Sequence, residues 1–417
     1  MSQLFTKTLR EAPKDEVSVN AQLLIRGGFI KKLSAGVYSF LPLGLIVLRK
    51  IENIVREEMN NLGGQEILMP VLHPREIWEE AGRWETADYL YKLKDRQGSE
   101  FALGATHEEV ITDIARKYIN SYRDLPLLVY QIQTKFRDEL RAKSGLLRGR
   151  EFSMKDLYSF HEDEEDRKKY YNTIENSYLK ILKKCGFKDI IVAEASGGSF
   201  SKEYSHEFQI PTIAGEDLII FCKSCGFAQN KEICDLRQEG VCPNCEKELK
   251  EFKTIEVGNI FALGANYSKP MSLSFLDRSG MTKPVIMGCY GMGPSRLMGA
   301  AIEVHHDHRG IIWPEEITPF GVVVIQIESK NEAINEKIKK TAEKVYKKLQ
   351  EKGVAVLYDE RENKGAGEKF MEADLIGIPW RVVVSERTVA ENKIEIKNRN
   401  EKEGALISES KLLEKIL

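Results

Sequence analysis

The chain has 417 residues, of which 42% are hydrophobic and 30% charged, and its formal net charge is -2 at pH 7. A chain of this length forms two to three domains with sizeable cores, and the composition is that of an ordinary soluble protein. The near-neutral charge excludes a basic field over the whole molecule, so a nucleic-acid partner must be bound by local patches.

No targeting or membrane segment is expected. The first ten residues lack a sustained apolar run, and the apolar stretch 36–48 is too short to span a bilayer and contains Pro42. These features predict a cytoplasmic protein with no membrane contact. In that compartment, seven cysteines that include two Cys-x-x-Cys pairs favour metal binding over disulfides.

In chain order, the first strong pattern is a helix at 45–62, with apolar residues on one face and charges opposite. Gly63 and Gly64 end this helix, and 67–71 is predicted as a strand that ends at a proline. A helix is predicted at 162–185. Further strands are predicted at 101–103, 127–135, 151–157, 190–194, 218–221 and 255–262. Strands this scattered predict an α+β fold with a mostly antiparallel sheet.

From about Pro319 the pattern changes to strands that alternate with helices, and Pro314 and Pro319 mark a boundary. Strands are predicted at 321–327, 354–358 and 381–384, and helices at 331–352 and 367–376. This alternation is typical of a small βαβ-type domain. We therefore predict one domain at 1–318 and a second at 319–417.

Two distant segments carry arginines in settings that suit a polyphosphate. Residues 136–139 read Phe-Arg-Asp-Glu and 148–152 read Arg-Gly-Arg-Glu-Phe, while the glycine-rich segment 288–296 ends in Arg296. Guanidinium groups bind phosphate oxygens with two parallel hydrogen bonds and never lose their charge. Neither a Walker-type loop nor GxGxxG is present, so an ATP site here must be built from arginines such as Arg137 and Arg296. These residues predict nucleotidyl transfer.

The pairs Cys222-x-x-Cys225 and Cys242-x-x-Cys245 are separated by 16 residues, which is the arrangement of a zinc ribbon. Four thiolates at this spacing can close a tetrahedron around structural Zn²⁺, so we predict a small zinc-ribbon-like insert at 222–250. Cys234 lies between the pairs and could replace one ligand. The alternative is a reduced loop without metal.

Several ordered blocks resemble the class II aminoacyl-tRNA synthetases and, within them, prolyl-tRNA synthetases of the bacterial type. These blocks are an entry segment at 34–44, motif 1 from the first long helix to Pro70, a substrate loop at 106–109, motif 2 at 136–156, blocks at 205–208 and 255–258, and motif 3 at 288–296. The resemblance implies a class II antiparallel sheet flanked by helices, followed by an α/β anticodon-binding domain. It also implies a homodimer that forms prolyl-adenylate from proline and ATP with Mg²⁺ and transfers the prolyl group to tRNA(Pro).

The same resemblance implies roles for individual residues. Arg137 and Arg296 are the expected catalytic residues. The proline-binding residues are expected to be Thr106, Glu108, Arg137, His161, His206 and Cys289. The ATP-binding residues are expected to be Arg137, Glu139, Arg148, Phe152, Glu256, Gly291, Gly293 and Arg296. Glu256 is also a candidate for carrying magnesium.

Structural roles are the alternative for each of these residues. Arg137 could pair with Asp138 or Glu139 at the surface, and Phe152 could be a core residue of a strand. His161, His206 and Cys289 could be buried structural residues, and the glycines could form a tight turn. Two departures from the family pattern are Ala105, where proline is more common, and Pro294 before the motif 3 helix.

Many bacterial relatives carry a large editing domain between motifs 2 and 3, and only 223–253 fills that place here. We therefore expect no editing in cis. Two rival interpretations remain open. The chain could be another class II synthetase, such as the threonyl or histidyl enzyme, or a synthetase-derived binding protein. In the C-terminal domain, Arg361, Lys364 and Lys369 are better candidates for phosphate contacts with tRNA than the lysines of helix 331–352.

Overall fold

The computed structural model describes residues 1–198, 200–201, 203–234 and 240–416. The chain forms two compact units, one of residues 33–37 and 51–300 and one of residues 1–32, 38–50 and 301–417. Within the described part of the chain, no helix combines the length and apolar character that crossing a membrane requires.

The helices and strands of the described residues are numbered in chain order. The helices are α1 (Val19–Arg26), α2 (Pro42–Asn61), α3 (Arg75–Glu80), α4 (Glu108–Tyr118), α5 (Glu164–Lys184), α6 (Pro294–Val304), α7 (Glu332–Glu351), α8 (Ala366–Ile376), α9 (Glu386–Ala390) and α10 (Leu412–Ile416). The strands are β1 (Ile30–Ser34), β2 (Val37–Phe40), β3 (Gln65–Glu66), β4 (Leu72–Pro74), β5 (Lys92–Lys94), β6 (Glu100–Leu103), β7 (Leu127–Phe136), β8 (Glu151–His161), β9 (Ile191–Ala195), β10 (Ser205–Pro211), β11 (Asp217–Phe221), β12 (Ala228–Asn230), β13 (Lys250–Gly264), β14 (Ser274–Leu276), β15 (Thr282–Pro284), β16 (Ile286–Met292), β17 (His306–Asp307), β18 (Gly310–Ile311), β19 (Val322–Gln326), β20 (Val356–Asp359), β21 (Trp380–Val384), β22 (Ile394–Asn398) and β23 (Ala405–Ile407).

The unit that contains residues 51–300 is built on a nine-stranded sheet with the order β10-β9-β12-β11-β13-β16-β8-β7-β3. Neighbouring strands run antiparallel, except that β12 is parallel to β9 and β3 is parallel to β7. Helix α5 packs across β8, β13 and β16 and buries Ile174, Tyr178 and Ile181. The predicted α+β fold with a mostly antiparallel sheet is therefore confirmed.

The predicted strand at 67–71 is wrong, because only Gln65–Glu66 pairs with the sheet. The Ile67 N–H still donates to the Tyr130 carbonyl of β7 at 2.8 Å. At Met69, side chains of β7 replace the neighbouring backbone: the Met69 N–H donates to Gln131 Oε1 at 3.1 Å, and the Met69 carbonyl accepts from Gln133 Nε2 at 3.1 Å. Beyond Ile67 the segment is thus held beside the sheet by side chains.

The longest elements of this unit that had not been predicted are α4, β10 and β16. Strand β16 contains Gly288 and Gly291, which weaken a strand pattern because glycine has no side chain to pack. Helix α4 buries Glu108, Glu109 and Thr112 along with apolar residues, so polar groups on its inner face mask the helical periodicity.

The C-terminal segment forms a five-stranded sheet with the order β20-β19-β21-β22-β23. The pairs β20–β19 and β19–β21 are parallel, whereas the pairs β21–β22 and β22–β23 are antiparallel. Helix α7 packs against β19, β20 and β21. The predicted alternation of strands and helices is confirmed here, whereas β22 and β23 were not predicted.

Of the basic residues proposed for phosphate contacts, Lys369 does not fit. It is buried, and its ammonium donates to the Gln326 carbonyl at 2.7 Å, so its side chain is not available to a phosphate at the surface. Arg361 and Lys364 are partly exposed, with Arg361 bound to Asp359 at 2.7 Å.

Candidate active site

A cavity of about 360 Å³ lies in the unit that contains residues 51–300. Its floor consists of β8, β13 and β16 at the centre of the nine-stranded sheet, and the first residues of α4 and α6 complete its wall. Of the predicted site residues, those lining it are Thr106, Glu108, Arg137, Glu139, Arg148, Phe152, Glu256, Cys289, Gly291, Gly293 and Arg296.

The strand register explains how distant segments meet on this floor. In the β8–β16 pair, Cys289 lies opposite Tyr158 and Gly291 opposite Asp156. Because side chains alternate between the two faces of a strand, Asp156 faces the cavity while its neighbour Lys155 points to the α5 side. The Lys155 ammonium accordingly contacts the hydroxyl of Tyr178 in α5.

Arg137 follows directly after β7, where the chain leaves the sheet. Its guanidinium lies 5.3 Å from the centre of the Phe152 ring, and its Nε donates to the Ala105 carbonyl at 3.4 Å. Ala105 itself is buried, so replacing the proline that the family prefers leaves this loop packed and bound to Arg137. One face of Phe152 is thus covered by a cation at the cavity wall.

Arg148 and Glu139 are paired with each other across the cavity mouth, with Nε and Oε2 3.0 Å apart. Arg148 also lies 3.3 Å from Glu216. Burial acts to raise the pKa of Glu139, but the hydrogen bond from Arg148 and its charge outweigh it, so the pKa is lowered. Glu139 is therefore an anion that holds Arg148 in place.

Arg296 lies in the first turn of α6, which begins at Pro294. Proline fits there because the first helical N–H has no partner within the helix, so this departure from the family pattern leaves the helix start intact. The Arg296 guanidinium lies 3.2 Å from Glu256. Glu207 lies near this pair, and burial together with the Glu256 charge raises the pKa of Glu207 to about 8.

Gly291 leaves room for a ligand. A Cβ built there would find no atom nearer than 3.9 Å, the closest being the Asn259 carbonyl oxygen and the Met154 sulfur. Protein packing therefore does not require glycine at this position. A side chain would instead project into the cavity. Glycine at this position therefore fits the predicted close approach of a nucleotide to the backbone.

The opposite end of the cavity is small and buried. Thr106, Glu108 and Cys289 are 5%, 1% and 6% exposed. The Thr106 hydroxyl donates to one oxygen of the Glu108 carboxylate, and the Cys289 thiol donates to the other at 3.0 Å. Burial, followed by the charge of Glu108, raises the pKa of Cys289, so the thiol remains a neutral donor.

Sequence reasoning missed Asp156, which also lines this cavity. Its carboxylate lies 2.7 Å from Lys135 Nζ and accepts hydrogen bonds from Gln131 at 2.9 Å and the Tyr158 hydroxyl at 3.0 Å. A signal was present in the sequence, because the adjacent charges Lys155 and Asp156 interrupt the predicted strand between Met154 and Leu157. Buried charged residues require partners, and such an interruption indicates a polar site.

The two predicted histidines do not line the cavity. His161, at the end of β8, is buried, with its Nδ1 2.7 Å from Asp166. His206, in β10, has its Nδ1 2.7 Å from the Tyr171 hydroxyl. Both are held by residues of α5, and their assignment to the proline site stays a prediction.

The four cysteines of the insert come together. One sulfur from each of Cys222, Cys225, Cys242 and Cys245 lies within 4.8 Å of the others, and Cys234 is not part of this group. In each Cys-x-x-Cys pair the N–H of the following residue, Gly226 or Glu246, donates to the carbonyl of the first cysteine at 2.9 Å.

Both of these following residues adopt the left-handed conformation, with φ of 81° at Gly226 and 58° at Glu246. The two turns therefore match. Because Zn–S bonds of about 2.3 Å place tetrahedral ligands somewhat less than 4 Å apart, the four thiols fit a zinc ion.

Family models match most of the chain. The model described as the tRNA synthetase class II core domain (G, H, P, S and T) matches residues 91–305, and the model described as an anticodon binding domain matches residues 321–417. Among solved structures, prolyl-tRNA synthetase from Cryptosporidium parvum complexed with halofuginone and AMPPNP has a TM-score of 0.79 at 19% identity, covering 95% of this chain and 75% of that chain. Giardia lamblia prolyl-tRNA synthetase in complex with prolyl-adenylate has a TM-score of 0.78 at 19% identity, covering 94% and 75%. These structures share the fold.

Curated relatives are closer in sequence. The proline–tRNA ligase of Wolbachia pipientis wMel is 41% identical over 413 residues, covering 96% of this chain and 95% of the relative. The proline–tRNA ligase of a Sulfurihydrogenibium species is 36% identical, covering 100% of this chain and 99% of the relative. That alignment spans 564 positions, so at least 147 of them have no counterpart among the 417 residues of this chain. At these identities and coverages, the chain belongs to the proline–tRNA ligase family of the class II aminoacyl-tRNA synthetases.

Proposed function

We propose that this protein activates proline with ATP, giving prolyl-adenylate and pyrophosphate, and transfers the prolyl group to the 3′ end of tRNA(Pro). The observation that carries the proposal is that one cavity is lined both by Arg137 and Arg296 and by the buried Thr106–Glu108–Cys289 cluster. Phosphate-binding cations and an anion suited to an amino acid nitrogen thus share one space. The names of the relatives support the same activity.

In the first step, the proline carboxylate attacks the α-phosphorus of ATP and pyrophosphate leaves. The nucleophile is already ionised, so no general base is needed. Two anions must be brought together, and charge neutralisation and positioning supply most of the catalysis. We assign Arg137 to bridge the proline carboxylate and the α-phosphate, because it stands between the Phe152 ring and the substrate loop at Ala105.

The nucleotide occupies the end of the cavity that Arg148 and Arg296 line. We assign Arg296 to the γ-phosphate, Arg148 and Glu139 to ATP, and Phe152 to the adenine face. Gly291 and Gly293 leave space for the nucleotide. Glu256 would hold Mg²⁺, which prefers carboxylate oxygens and accompanies the phosphates as a counter-charge. Arg148 and Arg296 are both paired with carboxylates at the cavity, so phosphates must displace those partners.

Proline occupies the buried end. Its nitrogen is a charged secondary amine, which a carboxylate binds better than a neutral acceptor does. We assign Glu108 and the Thr106 hydroxyl to this nitrogen and Cys289 to the wall beside the ring. A small soft side chain suits a compact apolar ring.

The decisive experiment is ATP–pyrophosphate exchange with proline, alanine and threonine side by side. We expect exchange with proline at much lower amino acid concentration than with the other two. Exchange that favours threonine would support a different class II synthetase. Absence of exchange with all three would support a binding protein that has lost the activity.

We propose that the chain has no editing activity in cis. The unmatched positions of the longer relative leave room for an additional domain there, whereas the insert 222–250 of this chain is occupied by the four-cysteine cluster. Alanine is smaller than proline, so a pocket rejects it by only a modest factor. Hydrolysis of alanyl-tRNA(Pro) by the purified protein would contradict this proposal.

We propose that the four-cysteine cluster binds one structural Zn²⁺. The test is metal analysis of the purified protein, with about one zinc per chain expected because four thiolates complete a structural site. Cys242→Ser should lose the metal and lower the melting temperature. Cys234→Ser is the matched control and should keep the metal. Loss of zinc in both variants would instead make Cys234 a ligand.

We retain domain boundaries at 1–318 and 319–417, supported by family models that end at 305 and resume at 321. We also propose a homodimer. The strand β3 lies at the edge of the large sheet, and Leu68 and Leu72 beside it are 76% and 45% exposed, which suits contact with a second copy. A monomer in gel filtration would contradict it. The cytoplasmic location remains a prediction.

A further inference from the structure

We infer that Arg83 is a positioning residue for proline recognition: by pairing with buried Glu109, it leaves the adjacent Glu108 carboxylate free to bind the proline nitrogen. This inference rests on the proposed function. It concerns Arg83 and Glu109, to which the proposed function assigns no role.

Glu108 and Glu109 are consecutive residues at the start of α4, and they are 1% and 0% exposed. Successive helical positions point about 100° apart, so the two carboxylates face different surroundings. Glu108 faces the cavity and contacts Thr106 and Cys289. Glu109 does not line the cavity and instead forms an ion pair with Arg83.

The Arg83 guanidinium is placed between the two glutamates. Its Nη1 lies 2.6 Å from Glu109 and 4.0 Å from Glu108, and it also donates to the Tyr267 hydroxyl at 2.7 Å. The rings of Phe200 and Tyr267 lie 4.9 and 5.5 Å from the guanidinium carbon. A cation enclosed in this way is costly to bury unless it is paired, so the pair with Glu109 is a fixed part of the site.

The electrostatic consequence concerns two adjacent buried acids. Burial raises the pKa of Glu109 to about 7, Arg83 acts to lower it, and the charge of Glu108 acts to raise it. Without Arg83, two neighbouring carboxyls in a low-dielectric site share a proton. A proton shared in this way would compete with the cationic proline nitrogen for the carboxylate oxygens that face the cavity.

Other titratable groups also face this pair, and none replaces Arg83. They are Tyr89, Lys135, Arg137, Asp156, Tyr158, Tyr267 and Cys289. Arg137 donates to the Ala105 carbonyl at 3.4 Å and is assigned to the proline carboxylate and the α-phosphate. The tyrosines and the thiol have raised pKa values, chiefly through burial, and remain neutral. Lys135 is already paired with Asp156 at 2.7 Å.

The test is ATP–pyrophosphate exchange by the full-length protein and by Arg83→Gln, Glu109→Gln and the double variant, with proline varied between pH 6 and 8.5. For Arg83→Gln we expect the KM for proline to rise about 10-fold at pH 7, because a weakened hydrogen bond to a charged group lowers affinity by about that factor. The KM for ATP should be unchanged. The defect should shrink as pH rises, because alkali removes the proton that the two carboxyls would share.

Glu109→Gln alone should also raise the KM for proline, because the unpaired Arg83 would then bind Glu108 and compete with the proline nitrogen. The double variant removes both charges and should be closer to the wild type than either single variant. Should Arg83→Gln not fold, as judged by circular dichroism, comparing Glu109→Gln with the double variant decides the same question.

A double variant as impaired as the single ones would overturn the inference, since a merely structural pair gives no such rescue. A wild-type KM for proline in both single variants would also overturn it. Failure of the wild-type protein to exchange with proline would contradict the proposed function instead.

Discussion

The two ends of the cavity differ in how deeply their charged side chains are buried and in how these side chains are paired. At the nucleotide end, the Arg148 and Arg296 side chains are 44% and 31% exposed, and each is paired with a carboxylate that also lines the cavity. At the proline end, Glu108 and Cys289 are almost completely buried and bonded to each other. A large, highly charged ligand can displace ion pairs, because guanidinium groups bind phosphate bidentately.

The difference suggests how each end recognises its ligand. Exposed ion pairs are weak and exchange partners easily, which suits a triphosphate that brings its own charge. Buried polar groups keep their geometry and penalise a ligand that leaves them unpaired, which suits discrimination between small amino acids. The nucleotide end thus supplies charge, and the proline end supplies selectivity.

The largest effect is expected from Arg137→Gln, which removes the cation assigned to the reacting phosphate. Pyrophosphate exchange should fall about 100- to 1000-fold, because a fixed charge aimed at a transition state is worth that much. Exchange at saturating proline and ATP measures it. Arg141→Gln is the matched control, since Arg141 is exposed and does not line the cavity. Equal activity of both variants would remove Arg137 from the mechanism.

A smaller and more selective effect is expected from Glu108→Gln. The KM for proline should rise about 10- to 100-fold, in line with the 1.5–3 kcal/mol of a hydrogen bond to a charged group. The KM for ATP should stay unchanged, because Glu108 lies at the proline end. Glu57→Gln, on the exposed surface of α2, serves as the control. A matching rise in the KM for ATP would show that the two ends are not separate.

The smallest effect concerns the pH dependence of the free energy of unfolding, which two buried histidines near the proline end should set. The Nε2 atoms of His73 and His107 each lie 3.0 Å from the Pro70 carbonyl oxygen, and the Nδ1 of His107 is 2.9 Å from Lys135 Nζ. Burial lowers the pKa of His73 to about 4 and that of His107 to about 2, from an ordinary value of 6.5. Both imidazoles are therefore neutral in the folded protein.

Below pH 6.5 the unfolded chain binds protons that these folded imidazoles do not, so acid favours unfolding. The free energy of unfolding should fall by about 1.4 kcal/mol per pH unit for each histidine between pH 6.5 and 4. Urea denaturation at pH 7, 6 and 5 measures the slope. His73→Gln should give a shallower slope than the wild type, and parallel slopes would contradict this assignment.

Much of the fold follows from local pattern. Helix α7 and the alternation of β19, β20 and β21 were predictable because apolar spacing and proline boundaries reflect the geometry of a single element. The paired cysteines and the arginine segments were likewise visible as spacing. Strand β16 was not, because Gly288 and Gly291 interrupt its apolar pattern: Gly291 lines the cavity, and Gly288 packs closely against Tyr290 and Ser159.

Only the tertiary structure decided which side chains share the site. The pairing of β8 with β16 sets Asp156 beside Gly291, and the packing of α4 brings Glu109 to Arg83. It also turns His161 and His206 towards α5 and away from the cavity. The chain sequence specifies the chemistry of each segment because composition and spacing are local. Contacts between distant segments depend on strand register and helix packing, which no local pattern contains.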